Sequence, residues 1–182
     1  VAGKLIDDAA LAPLLAEVLD AAEADDLGPS FFEATTAAAF LAFARTPADA
    51  TIVEVGLGGR LDATNIIPRP LICGIASLAI DHEAFLLAPE AGTPDDPLGR
   101  IAFEKAGIAK SGVPLVTHLY PSSMQRAIAG VLAKARTTML PRREAWDVSR
   151  TESGFDYRDR HGALCRPQPA MKGRHQVENA GL

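Results

Sequence analysis

Apolar residues recur at helical spacing through Leu11, Leu14, Leu15, Val18 and Leu19, behind an Asp7-Asp8 pair that suits a helix start. A polar break runs from Glu23 to Pro29. A second helix is predicted from about Phe31 to Arg45, ended by Thr46-Pro47. It is apolar nearly all round, which predicts burial. The pattern then changes. Thr51 to Val55 is a continuous β-rich run of the kind that forms a strand covered on both faces. Leu71 to Leu78 predicts a second strand, ending at Ala79-Ile80-Asp81-His82.

Leu87 to Pro97, with its prolines and aspartates, reads as a mobile loop. Leu98 to Ala109 reads as a helix closed by Lys110-Ser111-Gly112, and Val113 to Thr117 as a third strand. A further helix is predicted from Pro121 to about Arg136. Trp146–Val148, Phe155–Tyr157 and Ala163–Cys165 alternate as short antiparallel strands, broken at Glu152-Ser-Gly and His161-Gly. Helices alternating with apolar strands predict an α/β fold. Its sheet is mostly parallel and flanked by helices, with a small antiparallel β appendage.

Composition narrows the function classes. The 182 residues amount to about one domain. A net charge of −5 argues against a nucleic-acid surface. No run approaches the ~20 apolar residues of a membrane span. Cys73 and Cys165 are too few for a disulfide framework and fit reduced thiols in a cytoplasmic protein. The chain opens at Val1 without methionine and stops at Leu182 within the first turns of a helix, so it reads as an internal piece of a longer protein.

Three polar clusters follow predicted strands or sit on the next helix. Glu54 closes the first strand and leads into Gly56, Gly58 and Gly59. Asp81 and His82 close the second. Glu104 and Lys105 lie on the helix after it. Ligands gather at the carboxyl edge of an open α/β sheet, so Glu54 and His82 are candidates for one site. A carboxylate and an imidazole suit a divalent ion without specifying which; the alternative is that Glu54 caps a helix and His82 merely ends a strand. Lys105 stands among Ile101, Ala102, Ala106 and Ile108. A lysine in such a setting snorkels, pairs with Glu54 or Asp81, or serves a site with a lowered pKa. The glycines do not follow the dinucleotide spacing, and no G-x-x-x-x-G-K-[ST] loop occurs in the chain. His118, His161 and Cys165 read as ordinary core or surface residues.

Five stretches now stand in order: Phe31-Phe32-Glu33, Glu54-Val-Gly-Leu-Gly-Gly-Arg-Leu-Asp-Ala-Thr-Asn65, Asp81-His82, Ile101-Ala-Phe-Glu-Lys-Ala-Gly-Ile108, and His175-Gln176 with Asn179-Ala180. Together they resemble the folylpolyglutamate synthase / dihydrofolate synthase family of the Mur ligase superfamily. The resemblance implies an ATP-dependent carboxylate–amine ligase that joins L-glutamate to dihydropteroate or folates through an acyl phosphate.

It also implies site roles. Glu54 and His82 would be Mg²⁺ ligands, and Lys105 a lysine carried as its carbamate. Ser30, Phe31, Phe32, Leu61, Asp62 and Ala63 would line the pterin pocket, and Asn179 would lie near the ATP base. Residues 1–182 would be part of a central ATP-binding domain. The family's phosphate loop is expected before Val1 and its C-terminal domain after Leu182. The chain alone is then expected to be inactive and marginally stable, and the full-length protein a monomer. The competing expectations are a cell-wall Mur ligase and a non-catalytic nucleotide-binding or scaffold domain.

Overall fold

The computed structural model describes residues 1, 3–80, 87, 88, 90–171, 173 and 175–182. They form two compact units, Val1–Gly56 with Asp62–Ile66, and Leu57–Leu61 with Ile67–Leu182.

The first unit is a helix pair and a turn. Helix α1 (Asp8–Ala24) starts where Asp7 Oδ1 accepts the Ala10 amide hydrogen at 2.8 Å. Helix α2 (Phe31–Arg45) opens on a reciprocal cap. Glu33 N donates to Ser30 Oγ at 3.3 Å, and Ser30 N donates to Glu33 Oε2 at 2.7 Å. Only Ala34, Ala38 and Ala42 of α2 are buried, one stripe at four-residue spacing. Two expectations are corrected here. Helix α2 is not buried all round, because α1 and the 3₁₀ turn Ala63–Ile66 cover one face only. Thr51–Val55 forms no strand: Ile52 is 94% exposed, and no described segment supplies the ladder of hydrogen bonds a strand requires.

The second unit carries the sheet. Strands β1 (Cys73–Ile75), β2 (Leu115–Thr117) and β3 (Met139–Pro141) are parallel in the order β1-β2-β3. Helix α3 (Pro97–Ala106) connects β1 to β2, and α4 (Ser122–Ala135) connects β2 to β3. All three residues of β2 are buried, as expected of a central parallel strand. One core joins Ile75, Ala102, Leu115, Met124, Ile128 and Leu132. The predicted strand Leu71–Leu78 shrinks to three residues, since Leu71 and Ile72 lie in solvent. Strand β3 was not expected. Its signal is short and ends in proline, and its pairing comes wholly from β2.

Strands β4 (Trp146–Arg150), β5 (Gly154–Asp159) and β6 (Gly162–Pro167) form the expected antiparallel appendage. Helix α5 (His175–Gly181) packs on β4 and β5. Val116, Trp146, Val148, Phe155 and Val177 make a second core. Among the described residues no helix is long and apolar enough to cross a membrane.

Candidate functional site

The glycine-rich turn is seated on the end of α3. Gly58 and Gly59 are buried, with φ of 66° and 152°. Such angles favour glycine. A Cβ on Gly59 would stand 2.9 Å from Ile108 Cγ2 and 3.1 Å from the carbonyl oxygens of Glu104 and Lys105. A Cβ on Gly107 would stand 2.3 Å from that of Arg60. These glycines therefore let two backbones touch.

Polar bonds lock the same contact. Arg60 N donates to Glu104 O at 2.9 Å. Arg60 Nε and Nη2 donate to Glu104 Oε2 and Oε1, each at 3.0 Å, in a bidentate fork. Arg100, one turn earlier on α3, donates from Nε to Glu104 Oε1 at 3.0 Å. Glu104 and Arg100 are both buried. Arg60 also lies over the Phe103 ring, 5.4 Å from its centroid. Its hydrogen bonds to Glu104, and then to Glu90, hold the Arg60 guanidinium charged well above its ordinary range. Residues of the 87–96 link join in. Glu90 accepts from Arg60 and Arg100, and Thr93 accepts from Arg100. The link expected to be a mobile loop is thus tied to α3.

Lys105 follows Glu104 and is half-buried, as its apolar neighbours imply. Its ammonium makes no ion pair with any described residue. In the first unit Glu54 is exposed, and its carboxylate makes no ion pair among the described residues. Asp81 and His82 lie outside the described residues, so neither the expected strand end nor the imidazole is placed. Among the described residues no group of three or more His, Cys, Asp or Glu side chains could hold a metal.

The segments expected to meet a pterin share the first unit, apart from Leu61. Ser30 is occupied by its helix cap. Phe31 is 86% exposed. The Phe32 ring lies on the backbone of Gly56, where an added Cβ would stand 2.3 Å from it. Helix α2 contacts the Ala63–Ile66 turn. That turn is opened by Asp62, whose Oδ1 accepts from Thr64 N at 2.9 Å and Thr64 Oγ1 at 2.5 Å. Leu61 is 80% exposed and belongs to the second unit. A groove of about 760 Å³ lies between α1 and α2, lined by Val18, Leu27, Pro29, Phe40 and Leu41. Asn179 is exposed on α5, with its amide 3.5 Å from Gln176 Oε1.

Two features escape sequence reading. Arg100, Glu90 and Thr93 carry the Arg60 network, and only the four-residue spacing of Arg100 and Glu104 hints at it. His118 is the other. It is buried at the end of β2, 5.5 Å from the Trp146 ring, and neither ring nitrogen has a hydrogen-bond partner among the described residues. Burial pushes its imidazole below the ordinary range; Glu178 pulls the other way and Arg142 adds to the fall.

Comparison with known proteins gives one consistent result. No protein-family model matches the chain. It is 45% identical over 156 residues to a folylpolyglutamate synthase of Arabidopsis thaliana, covering 85% of this chain and 23% of that protein. It is 36% identical over 140 residues to the dihydrofolate synthase/folylpolyglutamate synthase of Escherichia coli K12, covering 76% of this chain and 30% of that one. The fold matches a solved FPGS–AMPPCP–folate complex with TM-score 0.83 and 29% identity, covering 98% of this chain and 44% of the other. The chain therefore spans about a quarter of the length of these two curated relatives. By sequence and by fold, the chain belongs to the folylpolyglutamate synthase / dihydrofolate synthase family.

Proposed function

We propose that the protein carrying this chain is an ATP-dependent ligase that adds L-glutamate to dihydropteroate, to folates, or to both. The observation that carries this reading is the docking of the Gly58-Gly59-Arg60 turn on Glu104 and Lys105. It packs together the two stretches most specific to the family. The likeness to a complex holding AMPPCP and folate supports both substrates.

In this reading a substrate carboxylate takes the γ-phosphoryl group of ATP, releasing ADP. The neutral amine of glutamate attacks the acyl phosphate, and phosphate leaves as the amide forms. Two polyanions must approach, so charge neutralisation and positioning carry the catalysis. Glu54 is our choice for a Mg²⁺ ligand, with His82 as its partner. Its exposed carboxylate offers the hard oxygen donors that Mg²⁺ prefers. When bound, the ion would offset charge on the phosphates.

Lys105 is half-buried and has no ion-pair partner among the described residues, which suits conversion to a carbamate. Its ammonium would first lose a proton, and the neutral amine would then add to CO₂ with loss of a second, turning a cation into an anion. The exposed ring of Phe31, with Phe32, Ser30, Leu61, Asp62 and Ala63, would receive the flat pterin. Asn179 would meet the adenine. The cytoplasm is the compartment we propose, supported by the unpaired Cys73 and Cys165.

The test is ATP-dependent incorporation of labelled glutamate by the full-length protein, with dihydropteroate and tetrahydrofolate as acceptors. Glu54→Gln and Lys105→Ala should each lower kcat/KM about 100-fold or more, equivalent to roughly 3 kcal/mol. Near-normal turnover in both variants contradicts the assignment.

A further inference from the structure

We propose that His118 is a pH-sensitive latch: its neutral ring lets the antiparallel sheet and α5 close over the end of β2, and its protonation opens that cover. His118 directly follows β2 and is 7% exposed. Its ring centroid lies 5.5 Å from that of Trp146, which shares a core with Val148, Phe155 and Val177. Helix α5 packs on the same indole, where a Cβ on Gly181 would stand 3.1 Å from Trp146 Cζ3. Neither nitrogen of the buried imidazole has a hydrogen-bond partner among the described residues. A neutral ring tolerates that position at a cost. An imidazolium there would strand a full charge and two N–H donors.

The surrounding charges make opening the way to relieve that proton. Arg142 follows β3, and its main-chain N donates to Thr117 O at 2.8 Å, beside His118. Its guanidinium ties the cover down. It donates to Asp147 Oδ1 at 3.0 Å and Val148 O at 2.8 Å on β4, and to Glu178 Oε1 at 3.0 Å on α5. From β5 come Tyr157, whose hydroxyl donates to Asp159, and Arg158, which reaches Asp147 at 3.4 Å. Burial pushes the His118 imidazole below its ordinary range; Glu178 opposes this and Arg142 adds to it. A proton on His118 puts a second cation near Arg142. The imidazolium gains Glu178 only by drawing that carboxylate away from Arg142, which unties α5. If Glu178 stays on Arg142, the imidazolium is left unpaired until water enters. Both routes open the same contact.

Above about pH 6.5 the ring is neutral whether the cover is closed or open, and nothing favours opening. As pH falls below that, the open form takes up the proton first, so the open population rises by at most about tenfold per pH unit. Helix α5 also bears Asn179, so in the ligase reading acid would draw that residue from the nucleotide. The latch itself lies within the second unit and does not rest on that reading.

The test is hydrogen exchange of the full 182-residue chain, read at the indole N–H of its one tryptophan, Trp146, which donates to Leu140 O at 3.1 Å. Corrected for intrinsic exchange, its protection should fall at least about fivefold from pH 7 to pH 5 while the amides of α4 keep theirs. His118→Gln should hold the protection constant over that range, and His118→Arg, with a permanent charge, should open the cover at pH 7. His161 and His175 are exposed, and the double variant His161→Gln/His175→Gln should behave as the wild type. Constant protection in the wild type overturns the proposal. So does a fall that persists in His118→Gln, or a loss of Trp146 and α4 protection together. If the His118 variants fail to fold, the wild type still decides. Its His118 ring signals and its Trp146 exchange should share one midpoint, and two separate midpoints refute the latch.

Discussion

At the scale of residues, the Arg60–Glu104–Arg100 cluster is the feature with the largest energetic stake. Removing Glu104 would leave two guanidiniums, one of them buried, without their shared carboxylate. Breaking a buried pair in this way costs about 3–5 kcal/mol. Glu104→Ala should lower stability by that amount in urea unfolding, and a loss below about 1 kcal/mol would show that the cluster is a surface-type pairing.

Gly59 makes a similar point without charge. Alanine there meets both a disfavoured φ and the Ile108 methyl, so Gly59→Ala should cost about 1–3 kcal/mol in the same measurement. His118 gives a pH test. Its folded pKa lies below the unfolded value, so above about pH 6.5 both states are neutral and no penalty arises. As pH falls below that, the unfolded chain takes up the proton first and stability drops, by at most about 1.4 kcal/mol per pH unit. His118→Gln should flatten stability between about pH 6.5 and 5; an unchanged slope would show that His118 titrates normally.

At the scale of elements, what local chemistry dictates was legible and what pairing dictates was not. The start of α1 is read from Asp7, whereas the caps of α2 and α3, by Ser30 with Glu33 and by Asp96, whose Oδ1 accepts the Gly99 amide at 2.7 Å, are not. The β4–β6 appendage follows from its alternation and its Gly-containing turns. Thr51–Val55 has the composition of a strand but no ladder partner, and Met139–Pro141 has little strand composition but the open edge of β2 beside it. Strand formation belongs to the partner as much as to the segment.

The site divides in the same way. Gly59, Arg60, Glu104 and Lys105 were visible as residue stretches, whereas Glu90, Thr93 and Arg100 became visible only when the fold brought them to one point. At this scale the cap of α3 matters most, because that helix holds the cluster. Asp96→Ala should lower the melting temperature through a loss of about 1 kcal/mol. An unchanged melting temperature would mean that the Asp96–Gly99 bond contributes nothing.

At the scale of the whole molecule, the account rests on a cation between nucleotide phosphates, held by one residue of the first unit and one that lies outside the described residues. The most direct measurement is a crystal structure of the full-length protein with AMPPCP, Mg²⁺ and folate. The account predicts a Glu54 carboxylate oxygen and the His82 imidazole in the coordination shell of one ion, with the carboxylate at about 2.0–2.1 Å and the Lys105 nitrogen bearing a carbamate. An ion bound without either Glu54 or His82, beside an unmodified Lys105 turned away from the phosphates, would contradict it.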